Sequence, residues 1–212
     1  MWFVKLEVLI IICYCSGSVR PSPIQDHSDD FYWRDYNDGE VPKDALPGGM
    51  DRDHKPTYIG QVVSQGAIIP GQIIGGAQKI YFQGDYSARE ASENIKILCT
   101  KNPENFEWAK TNGNDVRHFS RLRLIPGGYQ YGDHLYIGRG IAGNMLSVGK
   151  ITIPSDSSRM ATFKAAVDSD TFSPTEFEVL NYRMRNPDDS NSSPKITLLS
   201  TLVFLTIPIM LL

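Results

Sequence analysis

Several stretches of this chain carry residue types that do chemistry elsewhere, and each is decided by its surroundings. Gly138-Arg139-Gly140-Ile141-Ala142-Gly143 has the spacing of a dinucleotide-binding loop, which needs a helix after it to receive the pyrophosphate at its N-terminus. No helix can follow through Gly149 and Pro154, so these glycines serve a hairpin. Lys150 follows a glycine as in a phosphate loop, yet the interval from Gly143 to Gly149 is wrong and Ile151 carries no hydroxyl for a metal ion. His54 and His134 both precede a Tyr-Ile-Gly triplet, but no cysteine or carboxylate recurs at ligand spacing, which argues against a metal. Asp51-Arg52-Asp53 lacks the spacing of a calcium loop. Cys99 has no histidine beside it in sequence, and the serines sit in polar loops without a nucleophile elbow. The residues therefore give no support to catalysis or to a cofactor, and the chain reads as a non-enzyme.

The elements that would position any site repeat. Leu46–Ile74 and Ile125–Ile153 share a Gly-Gly pair, a Tyr-Ile-Gly triplet and a closing Gly-x-Ile in the same order. The offset of 78 residues from Tyr58 to Tyr136 recurs from Gln72 to Lys150, so no insertion falls between them. Phe31-Tyr32-Trp33 answers to Phe106-Glu107-Trp108, and Asn94–Leu98 answers to Glu176–Leu180. The copies are placed at residues 31–105 and 106–183. Short β-branched or aromatic runs, Tyr58–Val63, Ala67–Ile69, Gln72–Ile74 and Lys79–Phe82, are separated by glycines and recur in the second copy. Met160–Val167 could pass for a helical turn or two. Eighteen glycines and thirteen prolines fit many tight turns, so the expected fold is all-β: two tandem pseudo-symmetric repeats of short antiparallel strands in one compact unit.

Charge and the chain ends bound the setting. A formal net charge of −3 over 212 residues offers no concentrated basic surface, which argues against nucleic acid. Lys5, the apolar run Val8–Tyr14 and small residues at Ser16, Gly17 and Ser18 have the layout of a secretory signal over residues 1–18, with a signal anchor as the alternative. A polar leader (19–30) follows. A polar spacer at 184–195 with Asn191 and Ser192, then an apolar tail at 196–212, match the signal for a glycosylphosphatidylinositol anchor; a single spanning tail is the alternative. The expected localisation is the secretory pathway to the cell surface, lipid-anchored, or the extracellular space. Removal of the signal takes Cys13 and Cys15, leaving Cys99 without an internal partner; it is buried or used between chains, so a homodimer stays open. As the end of an apolar run it is expected inside.

Four motifs in order, twice, resemble the DM-nine repeat family, which also supplies the front module of natterin-like proteins. They are Pro47-Gly48-Gly49 and Pro126-Gly127-Gly128; Tyr58-Ile59-Gly60-Gln61 and Tyr136-Ile137-Gly138-Arg139; Pro70-Gly71-Gln72 and Val148-Gly149-Lys150; and Ile95–Leu98 and Phe177–Leu180. The resemblance implies two interleaved repeats about a pseudo-twofold axis and a mannose-binding lectin of innate recognition that needs no calcium. In such proteins an aspartate just after the Gly-Gly pair and the lysine of a Pro-Gly-Lys hairpin hold the sugar. Carried across, this assigns carbohydrate binding to Asp51 and Gln72 in the first copy, and to Gln130 and Lys150 in the second. Gln61 stands where the family has the arginine that the second copy keeps as Arg139, which joins the set of candidate sugar-binding residues.

A carboxylate beside an ammonium satisfies both the donor and acceptor of vicinal sugar hydroxyls. Replacing one charged partner by glutamine weakens such a site by on the order of 1 kcal/mol, which many copies on one surface offset by avidity. A site shared by Asp51 of one copy and Lys150 of the other is a further arrangement. The rival reading is a non-catalytic protein-interaction scaffold with degenerate sugar sites; an isolated Lys or Asp in a turn is often only solvated. Tyr58, Tyr136, Trp33 and Trp108 are either stacking platforms for sugars or core.

Overall fold

The computed structural model describes residues 30–183 apart from Ser120 and Leu122. The expected signal, spacer and tail, and all but the last residue of the leader, lie outside the described residues.

Seven strands come from the first copy: β1 (Tyr32–Asp35), β2 (Pro47–Met50), β3 (Pro56–Ser64), β4 (Ala67–Ile74), β5 (Ile80–Gln83), β6 (Ala88–Ala91) and β7 (Ile95–Cys99). Seven more follow: β8 (Phe106–Asn112), β9 (Pro126–Gln130), β10 (Asp133–Ala142), β11 (Met145–Thr152), β12 (Thr162–Val167), β13 (Asp170–Phe172) and β14 (Glu176–Tyr182). Two single 3-10 turns, at Pro103–Asn105 and Asp115–His118, complete the regular structure, and no α-helix occurs among the described residues. The chain is all-β, as expected. Met160–Val167 is not helical: Thr162–Val167 pairs antiparallel with β11 and β13, because Phe163 and Ala165 go into the core on one face. The two short runs read in Ala67–Ile74 are one strand that passes through Pro70-Gly71.

The same antiparallel pairing diagram is drawn twice. β3 pairs with β2, β4 and β7, and β10 with β9, β11 and β14. β1 adds to β7 as β8 adds to β14, and β5 and β6 extend β4 as β12 and β13 extend β11. Two pairings cross between the copies, and they are reciprocal: Leu146 of β11 sits opposite Met50 of β2, and Ile68 of β4 opposite Tyr129 of β9. All fourteen strands thereby join one sheet system.

The Pro-Gly-Gly motif explains this seam. A Cβ on Gly49 would lie 2.0 Å from the Leu146 carbonyl oxygen, and one on Gly128 would lie 2.0 Å from the Ile68 carbonyl oxygen. Only glycine lets β2 and β9 approach the opposite copy so closely. Around the seam, Leu46, Ile59, Leu98, Ile125, Ile137, Val148 and Leu180 form a shared core, flanked by a core in the first copy that also takes in Leu135 and by a core within the second. Ile59 and Ile137 are fully buried, each contributing about 1.5–3 kcal/mol of apolar transfer. Tyr136 is buried, and Tyr58, Trp33 and Trp108 are half-buried against these cores. Cys99 is also inside, its thiol pushed up to about 12, chiefly by loss of solvent, so it is held as an unreactive thiol.

Candidate functional site

The second copy brings two of its expected residues together. Lys150 lies on β11 opposite Ile137 of β10, which turns its side chain toward the inner face of the sheet. Its Nζ donates to Gln130 Oε1 at 2.7 Å and to the Gly84 carbonyl at 3.1 Å. Gln130 ends β9, and its Nε2 donates in turn to Asp85 Oδ1 at 2.6 Å. An ammonium, an amide and a carboxylate are thus strung in one polarised chain, with the amide bridging two opposite charges. Loss of solvent is the main reason the Lys150 ammonium titrates far below its usual range, at about 8; neighbouring Lys164 acts in the same direction and Asp85 opposes it. Two of its three N–H donors are used in these bonds.

Asp85 belongs to the first copy, in the turn after β5, so the carboxylate that Gln130 lacks is supplied by the other copy. The Tyr131 hydroxyl also hydrogen-bonds Asp85, and this contact is the main cause that raises the tyrosine above its ordinary pKa. Gln130, Asp85, Tyr131, Arg89 and the Ser64–Gly66 turn line a depression of about 50 Å³. At ~30 Å³ per water molecule that is room for one or two hydroxyl groups, so it fits the edge of a polyol rather than a whole ring.

The matching positions of the first copy are occupied differently. Gln72, almost fully buried on β4, accepts a hydrogen bond from the Val148 backbone N–H at 2.9 Å. By the repeat offset, the residue related to Val148 is Pro70, which has no N–H to satisfy. The Lys/Gln difference between the copies therefore follows from the Val/Pro difference: a buried amide in one copy needs an acceptor from the other. Asp51 is spent on its own turn, where Oδ1 accepts from the Asp53 and Lys55 amides, each at 2.9 Å. It neither bonds Lys150 nor figures among the charges that shift it, so the site shared between Asp51 and Lys150 does not form. Asp168, the counterpart of Asp85, is held by the Arg52 guanidinium, and Asn144 Nδ2 donates to the Arg52 carbonyl at 3.1 Å.

Arg139 stands apart from both. Its Nε donates to Glu178 Oε2 at 2.5 Å, its Nη1 to the Gly48 carbonyl at 3.3 Å, and its guanidinium lies 4.3 Å from the Trp108 ring centroid. It lines a different and larger cleft, about 930 Å³, between the β10–β11 hairpin and β8 with β14. Sequence reasoning missed this cleft, and it missed Asp85. The register could have found the aspartate: Gln72 pairs with Tyr81 and Lys150 with Lys164, so residues four further on, Asp85 and Asp168, correspond. The second copy's longer loop before β12 shifts that offset and hides the match.

The model of the DM9 repeat matches residues 23–92, so the resemblance stands for that stretch. The crystal structure of the nematode sperm cell motility protein MFP2B has a similar fold, with a TM-score of 0.55 at 15% identity over 86% of this chain. The match takes in 55% of that chain, so this protein spans about half of it. No curated protein matches the sequence.

Proposed function

We propose that this chain, a protein that carries the DM9 repeat, is a carbohydrate-binding recognition protein with one functional sugar site, formed by Lys150, Gln130 and Asp85. The observation that carries it is the 2.7 Å bond between Lys150 and Gln130, the two positions that the family pattern assigns to the sugar in the second copy. Lys150 holds Gln130 from within, and the Gln130 amide and Asp85 carboxylate supply a donor and an acceptor at a depression of hydroxyl size. A neutral, hydroxyl-rich ligand of the mannose type suits that pairing, and no metal is required. In the first copy, Gln72 and Asp51 serve the fold. One weak site per chain gains effective strength from display of many chains, and attachment through the 196–212 signal after secretion would provide it.

The test is retention of the full chain, produced in secreting cells, on a mannose matrix. Elution by free mannose and indifference to chelator are expected. Lys150→Met and Asp85→Asn should each lose retention, while Arg139→Lys should keep it. Failure of the folded wild type to bind any sugar on a glycan array would overturn the reading.

A further inference from the structure

The large cleft has a cause in the strand pairing. In the first copy β3 stays zipped to β7 through Val62 opposite Ile95, and the Val63 N–H then reaches the Asn94 carbonyl at 3.3 Å. In the second copy the ladder between β10 and β14 stops at Arg139 opposite Glu178, one pair earlier. Beyond that point no pairing joins residues 140–142 to residues 176–177. The reason lies at Gly140, which stands where the first copy has Val62. A Cβ there would come within 2.9–3.2 Å of Phe163, Phe172 and Pro174, so β12 together with the segment leading into β14 occupies the place of the missing side chain. The sheet therefore splits, and the β10–β11 hairpin stands off from β14.

The split exposes strand edges on both walls. The Val148 N–H turns away from β10 to reach Gln72, so Arg139, opposite Val148, directs its backbone groups toward β14. By strand alternation Ile141 does the same, and Glu176 faces it. Between the walls, Met50, Met145, Leu146 and Phe177 form an apolar floor of adaptable thioether and aliphatic groups. The charge on the rim is acidic by one: Glu178 is taken by Arg139, and of the remaining lining charges Glu176 and Asp115 outnumber Lys110, the Glu176 carboxylate making no ion pair among the described residues. The unpaired N–H and C=O groups of Ile141 and Glu176 face each other across the split and are complementary to a peptide backbone. An apolar floor without an open aromatic platform suits aliphatic side chains better than a sugar ring.

We infer that this split is a docking site for an extended peptide segment of a partner protein, one that adds a strand between β10 and β14 with an aliphatic side chain on the methionine floor and a basic side chain against Glu176. Strand addition draws affinity from main-chain hydrogen bonds and specificity from alternate side chains. The site is independent of the sugar reading and shares no residue with the Lys150 cluster.

The test is fluorescence anisotropy of two labelled pentapeptides, alternating Val-Lys-Val-Lys-Val and alternating Val-Glu-Val-Glu-Val, against the full chain. The lysine peptide is expected to bind and the glutamate peptide not. Glu176→Lys, at an exposed position, should weaken the lysine peptide by about tenfold or more, as befits one charge-assisted bond, and reverse the preference. Ile141→Pro removes one wall N–H outside the β10–β11 ladder and should also weaken binding, and hydrogen exchange at Ile141 and Glu176 should slow on binding. Mannose should not displace the peptide. Absence of binding by either peptide, binding unchanged by Glu176→Lys, or displacement by oligomannose in place of peptide protection would each overturn the inference.

Discussion

Gln72→Lys restores the family's lysine in the first copy, yet the structure requires it to destabilise the chain. Gln72 Oε1 is the acceptor for the buried Val148 N–H, and an ammonium offers no acceptor at all. Leaving that amide unpaired costs about 1–3 kcal/mol. A second cost is the burial of the charge. At the related position Lys150 is displaced from 10.5 to about 8, which at 1.36 kcal/mol per pH unit is a penalty of roughly 3 kcal/mol. Gln72 is more deeply buried, at 2% exposure against 6%, and has the arginine-held Asp168 where Lys150 has Asp85. The single variant should therefore lose about 4–6 kcal/mol at pH 7. Val148→Pro removes the N–H at its source and reproduces the Pro70 arrangement; alone it should cost about 1–3 kcal/mol, because it leaves the Gln72 oxygen buried and unpaired. In the double variant neither the unpaired amide nor the unpaired Gln72 oxygen remains, so the two changes should couple favourably by about 2–6 kcal/mol. Urea unfolding of the wild type, both single variants and the double variant measures this directly. A double variant that loses the full sum of the singles would refute the argument that Val148 dictates Gln72.

Gly128→Ala places a methyl 2.0 Å from a backbone oxygen of the opposite copy, which no side-chain adjustment can relieve, and should cost about 3 kcal/mol or more. Gly66→Ala meets nothing within 4 Å and carries the penalty of a positive φ alone, about 1–2 kcal/mol; equal losses in urea unfolding would contradict the seam. Lys150 sets a pH dependence. Its folded pKa lies below its unfolded one, so between about 8 and 10.5 the unfolded chain binds more protons and stability rises with pH. The gain should approach roughly 3 kcal/mol and be missing in Lys150→Met, and mannose retention should weaken across the same rise as the ammonium discharges.

The glycines, prolines and β-branched runs were enough to read strands, turns and a duplicated module, because those signals are local: a residue's own backbone preference and a period of two do not depend on partners. The repeat offset likewise paired Gln72 with Lys150 without any coordinates. The Met160–Val167 stretch stayed open locally because its short apolar run fits either period until β11 supplies a partner. What each paired residue does was settled by the fold. Gln72 and Lys150 occupy related positions, yet one caps the Val148 amide and the other bonds the Gly84 carbonyl beside Asp85, because these partners come from the opposite copy, 76 and 66 residues away in sequence. The cleft beside Arg139 depends on a ladder that ends one pair early. Hydrogen-bond partners across a sheet are non-local, so the sequence alone specified which strands exist, while the packing of the two copies decided which polar groups meet and where the sheet opens.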